Sequence, residues 1–150
     1  MPADHRPRSD RPREPQSPNW IPSESQIEAI IAGDVDVLIV QAEKIGRELV
    51  ESRLTTSQVR GVFGTVRQIE AAVHPTAREL DDLTYRRLKL LIPRLAYQAK
   101  RERGQGVARL SDVLTPAIQR IGRDADRFRR FVEFFEAVLA YHKAHGGKEQ

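Results

Sequence analysis

The sequence predicts an all-α fold, a helical bundle of about five substantial helices that follows a disordered N-terminal tail. Apolar side chains recur every three to four residues along most of the chain, which is the periodicity of amphipathic helices. Helix start signals precede these runs, and no stretch alternates apolar and polar residues as a strand does. The 150 residues, 39% hydrophobic and 31% charged, suit one domain rather than two.

The N-terminal segment differs from the rest in composition. Residues 1–22 hold six of the nine prolines, with Arg, Asp, Ser and Glu between them. Such a segment buries too little apolar surface to offset the entropy that it would lose on ordering. We therefore predict a disordered tail over residues 1–22 and a helical bundle domain over residues 23–148. Trp20 and Ile21 are expected to hold the end of the tail against the domain.

Three predicted capping boxes mark helix starts, each a Ser or Thr followed three residues later by Gln or Glu. They are Ser23 with Gln26, Thr55 with Gln58, and Thr76 with Glu79. The first opens a short helix that ends at Gly33, after which Asp34 caps a second helix that ends near Arg53. The second box opens a third helix, which His74-Pro75 ends.

The third box opens the longest predicted helix, roughly from Ala77 to Arg103. Pro93 lies inside it and removes the hydrogen bond to the carbonyl of Lys89, so we predict a kink there rather than two helices. The apolar residues predicted to face inward are Leu80, Leu83, Leu88, Leu91, Ile92, Leu95 and Ala99.

An apolar stripe from Leu110 to Ile121 predicts the next helix, although Pro116 interrupts it. One option is a helix that opens at Thr115-Pro116, with proline at the first helical position. Gly122 then ends this helix.

Asp124 caps the final helix, which should end near His145. Its apolar surface is unusually wide, because Phe134 and Tyr141 extend round the side opposite its main stripe. A surface of this width is either buried between two layers of one chain or used to bind another chain. We favour a subunit interface through Phe134 and Tyr141.

The residue types argue against an enzyme. The absence of cysteine excludes a disulfide scaffold, an iron–sulfur cluster and a thiol nucleophile, and neither a Gly-rich phosphate loop nor a nucleophile elbow is present. His142 and His145 near Glu136 form too weak a ligand set, so we interpret them as a solvated helix end. We predict no catalytic residue, no metal and no cofactor. The sequence lacks an apolar run of about 18 residues, which predicts that no segment spans a membrane. We expect a cytoplasmic protein with no membrane partner.

Charge is distributed unevenly along the chain. Residues 85–131 hold thirteen Lys and Arg against four acids, a net charge of +9, whereas residues 23–84 hold six against eleven, a net charge of −5. A basic block of this size suggests a polyanionic partner. The alternative is that these residues coat solvated helix faces, and the arginines spaced along the helices could instead pair with the acidic block of the same chain.

The spacing of the arginines favours a nucleic-acid backbone as the partner. Residues seven apart on a helix differ by only about 20° in direction, and such steps join Arg60 to Arg67 and also Arg94 to Arg101. Gly64 lies between the first pair and allows close approach of a polymer. The predicted RNA-binding residues, with the adjacent lysine, are Arg60, Arg67, Arg94, Lys100 and Arg101. A second cluster opposes the dipole of the last helix and predicts a phosphate or partner contact; it comprises Arg123, Arg127, Arg129 and Arg130.

Three segments resemble the small helical subunit of type III-A CRISPR effector complexes, the Csm complexes. They are Leu54–Arg60 (LTTSQVR), Lys89–Arg101 (KLLIPRLAYQAKR), and Phe134–Lys143 (FFEAVLAYHK) with Gly146-Gly147-Lys148 after it. In this order and spacing they cover the chain from about residue 24 to 148. Lys100 departs from the glycine expected at its position.

The resemblance implies a noncatalytic subunit of an antiviral complex. Copies of it would stack on a backbone of larger subunits that hold the guide RNA, and would touch the target RNA strand of the guide RNA–target duplex. RNA cleavage would belong to the backbone subunit, and DNA cleavage to the large polymerase-like subunit. Carried over by position, the residues expected to contact phosphates are Arg60, Arg67, Arg94 and Arg101.

The alternative function is a small basic DNA-binding protein of the helix-turn-helix type. That class needs a short recognition helix with base-reading side chains at its N-terminal end. Here the arginines run along long helices, an arrangement that suits contact with a backbone better than base reading.

Overall fold

The computed structural model describes residues 19–150 and confirms the all-α prediction for this part of the chain, which holds no β-strand. The predicted tail lies outside the described residues up to position 18. Seven helices follow one another: α1 (Glu24–Ala32), α2 (Val35–Glu51), α3 (Thr56–Ala72), α4 (Asp82–Lys89), α5 (Leu91–Arg101), α6 (Gly106–Gln119) and α7 (Ala125–Ala144).

Two of the three predicted capping boxes form. The Ser23 hydroxyl accepts from the Gln26 amide at 3.2 Å, and the Gln26 side chain accepts from the Ser23 amide at 2.8 Å. Thr55 and Gln58 repeat this arrangement at the start of α3, at 3.2 and 2.9 Å. Gly33 ends α1 with a φ of 114°, which glycine adopts without the steric cost of a Cβ atom.

The third predicted capping box, Thr76 with Glu79, is wrong. The Thr76 hydroxyl lies 2.8 Å from His74 Nδ1, and the chain continues as a loop that pairs with the turn before α7. In that pairing the Leu80 amide donates to the Arg123 carbonyl at 2.8 Å. Tertiary hydrogen bonds thus replace a local helix start, and α4 begins only after Asp81, whose carboxylate accepts from the Thr84 amide at 2.7 Å.

The single kinked helix is also wrong, because the chain breaks at Leu90 into α4 and α5. Pro93 is the third residue of α5, a position in the first turn where the missing N–H would have no helical partner in any case. Leu83, predicted to face inward, is 67% exposed in the first turn of α4. Pro116, by contrast, lies inside the continuous helix α6. The predicted helix start at Thr115-Pro116 is therefore wrong.

Helix α7 lies at the centre of the bundle and packs most extensively against α2. The two helices approach closely at Gly46, where a Cβ atom would lie 2.6 Å from Tyr141 Cβ. Both faces of α7 are buried, and Phe134 is 0% exposed within a single chain. The prediction that Phe134 forms a subunit interface is therefore wrong, because this side chain belongs to the core. Tyr141 is half-buried, and its part in an interface stays a prediction.

The segment after α7 folds back onto the start of α3. The Thr56 and Ser57 amides donate to the carbonyls of Lys148 and Glu149, both at 3.0 Å. His142, which we expected at a solvated helix end, is 1% exposed, and its Nε2 donates to the Leu54 carbonyl at 2.7 Å. These bonds satisfy groups that the helix start leaves without helical partners, and they fix the N-terminal end of α3.

Candidate nucleic-acid interface

Helix α3 buries one face and presents the other to solvent. Its buried face consists of Val59, Val62, Val66 and Ile69. Its outer face, which we define as Ser57, Gly61, Gly64 and Gln68, is exposed and uncharged. A Cβ atom placed at Gly64 would meet no heavy atom within 4 Å, so the middle of this face is open. The outer face is therefore a low surface that a polymer chain can approach closely.

A groove of about 340 Å³ separates α3 from α5 along one side of the outer face. Arg94 bridges the helices, since its Nη1 donates to the Thr65 hydroxyl at 2.6 Å. Nearby, Gln98 Nε2 donates to the Gln58 carbonyl. A Cβ atom at Gly61 would lie 3.3 Å from Arg94 Nη2, so glycine gives the guanidinium room to lie across α3. We call this feature the α3–α5 groove; it is lined by Ser57, Gln58, Gly61, Arg94, Tyr97, Gln98, Arg101 and Glu102.

Arg60 and Arg67 lie on the other side of the outer face, toward α7. Arg67 Nη1 is 2.8 Å from the Glu70 carboxylate and 2.9 Å from that of Glu136, and its guanidinium lies 4.9 Å from the centre of the Phe63 ring. The hydrogen bond that Arg67 donates to Glu70 is the main cause that raises the pKa of Arg67. Arg60 is exposed and forms no ion pair within residues 19–150.

The five predicted RNA-binding residues thus do not line a single groove. Arg94 and Arg101 line the α3–α5 groove, with Arg101 3.6 Å from the Glu102 carboxylate. Lys100 is exposed, about 180° round α5 from the buried Leu91, and it is not among the residues that line the groove. Arg60 and Arg67 flank the opposite edge. Cations therefore lie on both sides of the outer face of α3, and the one with two carboxylate partners is Arg67.

The second predicted cluster, at the start of α7, is paired within the chain. Arg127 and Arg120 both contact Glu28, at 2.6 and 3.2 Å, and the hydrogen bond from Arg127 is the main cause that lowers the pKa of Glu28. Arg129 donates to the Asp126 carboxylate at 2.7 Å and to the carbonyls of His74, Pro75 and Ala77. Arg123 and Arg130 pair with Asp82 and Glu133, at 2.7 and 2.9 Å.

For this cluster the structure shows pairing within the chain. The predicted phosphate or partner contact by Arg123, Arg127, Arg129 and Arg130 is corrected accordingly, because each guanidinium already lies on a carboxylate or on backbone carbonyls.

Among residues 19–150 no three His, Asp or Glu side chains are grouped so as to hold a metal ion. The histidine and carboxylate pair that we considered is engaged elsewhere, with His142 on the Leu54 carbonyl and Glu136 on Arg67. In the same part of the chain, no helix combines the length and the apolar character needed to cross a bilayer.

Sequence reasoning missed three residues of the α3–α5 groove, Gln58, Tyr97 and Gln98. Tyr97 is 66% exposed, which is unusual for a large ring. A signal for it was present, because Tyr97 lies three residues after Arg94 and four before Arg101, and so shares their helix face. The two glutamines carried no comparable signal, since their part depends on how α5 docks beside α3.

Fold and surface together define a small all-α protein with arginines on both sides of one exposed helix face. The family model Csm2 Type III-A matches residues 32–148, and the chain belongs to this family of structural small subunits. It is thus a small subunit of a type III-A CRISPR complex, as the resemblance of its three segments implied. No curated protein matches the chain.

Proposed function

We propose that this protein is a noncatalytic small subunit that stacks with copies of itself in a type III-A complex and contacts the backbone of the target RNA. The observation that carries the proposal is the exposure of Arg60 and Arg94, neither of which lies in a salt bridge within residues 19–150, although Arg60 is near the Glu149 carboxylate. Five further arginines also form no salt bridge within residues 19–150, so what sets Arg60 and Arg94 apart is their place beside the outer face of α3; the five are Arg53, Arg78, Arg86, Arg87 and Arg103.

Arginines without such partners are suited to phosphate binding. When an exposed guanidinium binds a nucleic acid, it displaces the counterions that surround the phosphates. This release of ions makes the affinity salt-dependent. Arg60 and Arg94 lie on opposite sides of the outer face of α3, whose glycines allow a strand to approach the helix. Arg101 extends this cationic edge along α5. Arg67 is the weaker candidate, because a phosphate must compete with both Glu70 and Glu136.

Family membership supports the remaining parts of the proposal and favours it over the helix-turn-helix alternative. The other partners are the backbone subunit, the large polymerase-like subunit and the guide RNA–target duplex. We place the complex in the cytoplasm. Base pairing with the guide supplies the sequence specificity, so the small subunit needs only contacts with the backbone.

The test compares two triple variants in the assembled complex. Arg60→Ala, Arg94→Ala and Arg101→Ala remove three exposed cations, of which only Arg101 has a carboxylate, that of Glu102, within 4 Å. The matched control, Arg120→Ala, Arg123→Ala and Arg130→Ala, removes the same charge from sites that are all paired. Affinity for target RNA is measured between about 50 and 200 mM salt. The first variant should flatten the slope of log affinity against log salt by about two units, at roughly 0.7 for each contact with a single strand.

The control should change this slope by much less, because its guanidiniums already lie on carboxylates. Equal slopes for the two variants, with both fully incorporated, would contradict the proposed contact. A loss confined to one target sequence would show base reading instead of contact with the backbone.

A further inference from the structure

Tyr97 presents an aromatic ring to solvent where the fold does not require one. It is 66% exposed, whereas four phenylalanines of α7 are fully buried in the core. The ring lines the α3–α5 groove together with Ser57 and Gly61 of α3, two small residues that protrude little from their helix. The groove volume of about 340 Å³ lies at the lower end of the roughly 300–1,000 Å³ that small-ligand sites occupy.

Cations lie on both sides of this ring. Arg94 precedes Tyr97 by three residues and Arg101 follows it by four, so all three share one face of α5. The Arg101 guanidinium carbon lies 5.9 Å from the centre of the Tyr97 ring. Glu102 also lines the groove, and its carboxylate lies 3.6 Å from Arg101. The groove therefore combines an aromatic face with a net positive charge.

Two amide side chains add hydrogen-bonding groups. The Gln58 side-chain oxygen accepts from the Thr55 amide at 2.9 Å, which leaves its NH₂ group to donate. Gln98 is engaged in the opposite sense, because its NH₂ group donates to the Gln58 carbonyl and its oxygen stays free to accept. Within residues 19–150 no hydrogen bond engages the Gln58 NH₂ group or the Gln98 side-chain oxygen, so the groove lining offers an amide donor and an amide acceptor with which a base edge can pair.

We propose that the α3–α5 groove binds one unpaired nucleotide of RNA, with its base stacked on Tyr97 and its flanking phosphates on Arg94 and Arg101. Sites for single strands combine a cationic groove with an aromatic ring on which a base stacks. A base inside a duplex cannot reach such a ring, so this nucleotide must be turned out of the helix. The inference rests on the proposed function, which requires only contact with the backbone. It adds one stacked base to that contact.

The experiment uses the assembled complex and three forms of the protein: the natural chain, Tyr97→Phe and Tyr97→Leu. Phenylalanine keeps the ring face, whereas leucine keeps apolar bulk without it. Tyr97→Phe should bind target RNA as the natural chain does. Tyr97→Leu should bind about 5- to 150-fold more weakly, the range that loss of one stacked base produces.

A second measurement locates the base. Target RNAs carry 5-iodouridine at successive positions, and irradiation should cross-link one recurrent position to the peptide that contains Tyr97. An abasic site at that position should weaken binding by the natural chain and remove its advantage over Tyr97→Leu.

Two outcomes would overturn the inference. In the first, Tyr97→Leu incorporates fully and binds RNA like the natural chain, while the triple arginine variant still loses affinity; the proposed function then stands without a stacked base. In the second, Tyr97→Leu incorporates poorly but the complexes that form bind RNA normally, which would assign the ring to a protein partner. If the triple arginine variant also binds RNA normally, the proposed function itself fails.

Discussion

The arginines at the start of α7 and those beside the outer face of α3 differ in what surrounds their guanidinium groups. Arg127 lies 2.6 Å from the Glu28 carboxylate, and Arg129 donates to three backbone carbonyls as well as to Asp126. Arg60 has no ion pair within residues 19–150, and Arg94 donates to a neutral hydroxyl. Arg94 and the arginines of α7 come from the basic block of residues 85–131, whereas Arg60 comes from the acidic block of residues 23–84.

This difference shows that a cluster of positive charge in a sequence does not by itself locate a binding surface. Arg129 and Arg130 pair with acids three residues away, but the acids that pair with Arg127 and Arg123 lie far away in the sequence. Only the folded chain shows which cations keep their charge available to a partner. The following predictions test whether the two groups of arginines are as different as their surroundings indicate.

The largest effect is expected from reversing charge beside the outer face. Arg60→Glu with Arg94→Glu should weaken binding of target RNA to the assembled complex by about 100-fold or more, or ~2.7 kcal/mol, because like charges then face the phosphates. Urea unfolding of the isolated protein should barely change. Arg60→Lys with Arg94→Lys retains the charge and should keep most of the affinity. Comparable losses for the Lys and Glu pairs would show that charge is not what these sites supply.

A smaller effect, on stability rather than on RNA, is expected at Arg129. Arg129→Ala removes a carboxylate partner and three hydrogen bonds to carbonyls, so the free energy of unfolding should fall by about 1–3 kcal/mol. Arg129→Lys should recover only part of this loss, since an ammonium group lacks the planar fork. RNA affinity of the assembled complex should stay unchanged. If Arg129→Ala had the same free energy of unfolding as the natural chain, the contacts of Arg129 would not stabilise the fold.

Arg67 combines features of both groups and should give an intermediate result. Its ion pairs are about half exposed, so Arg67→Ala should lower the free energy of unfolding by no more than about 1 kcal/mol. The salt slope should change by less than the roughly 0.7 units expected for Arg60→Ala. A larger change of slope for Arg67 than for Arg60 would reverse the order in which we place the two residues.

The smallest effect concerns acid pH. The hydrogen bond from Arg127 holds the pKa of Glu28 below its ordinary value of 4.5, so the ion pair stabilises the fold above that pH. The contribution is lost as the pH falls through the lower pKa of the folded state. Urea midpoints measured from pH about 6 to about 3 should therefore fall more steeply for the natural chain than for Glu28→Gln. The urea midpoints of Arg94→Ala should depend on pH as those of the natural chain do. If Glu28→Gln and the natural chain showed the same pH dependence, the pairing of Glu28 with Arg127 would be refuted.

Local signals were enough to predict much of the fold. The Thr55–Gln58 capping box predicted the start of α3 correctly. Thr76 and Glu79 carry the same signal and form no helix, because the loop around them gains hydrogen bonds to the turn before α7. A cap is a local preference, and partners distant in the sequence can override it.

Prolines and aromatic residues show a second limit. Pro93 and Pro116 lie in equally apolar stretches, yet one falls in the first turn of α5 and the other inside α6. The width of the apolar surface of α7 predicted either a subunit interface or two buried faces. The packing of neighbouring helices buries Phe134 in the core, which sequence alone could not show. The same limit applies to the α3–α5 groove, whose arginines have a helical spacing but whose Gln58 and Gln98 meet only through packing.

The most direct test of the difference between the two arginine groups is the structure of the assembled complex with target RNA bound. We predict hydrogen-bond distances between phosphate oxygens and the guanidiniums of Arg60 and Arg94, with the outer face of α3 turned toward the RNA. Arg127 should remain on Glu28. The opposite arrangement, with the start of α7 against the RNA and the outer face of α3 turned away from it, would contradict the assignment of the two surfaces.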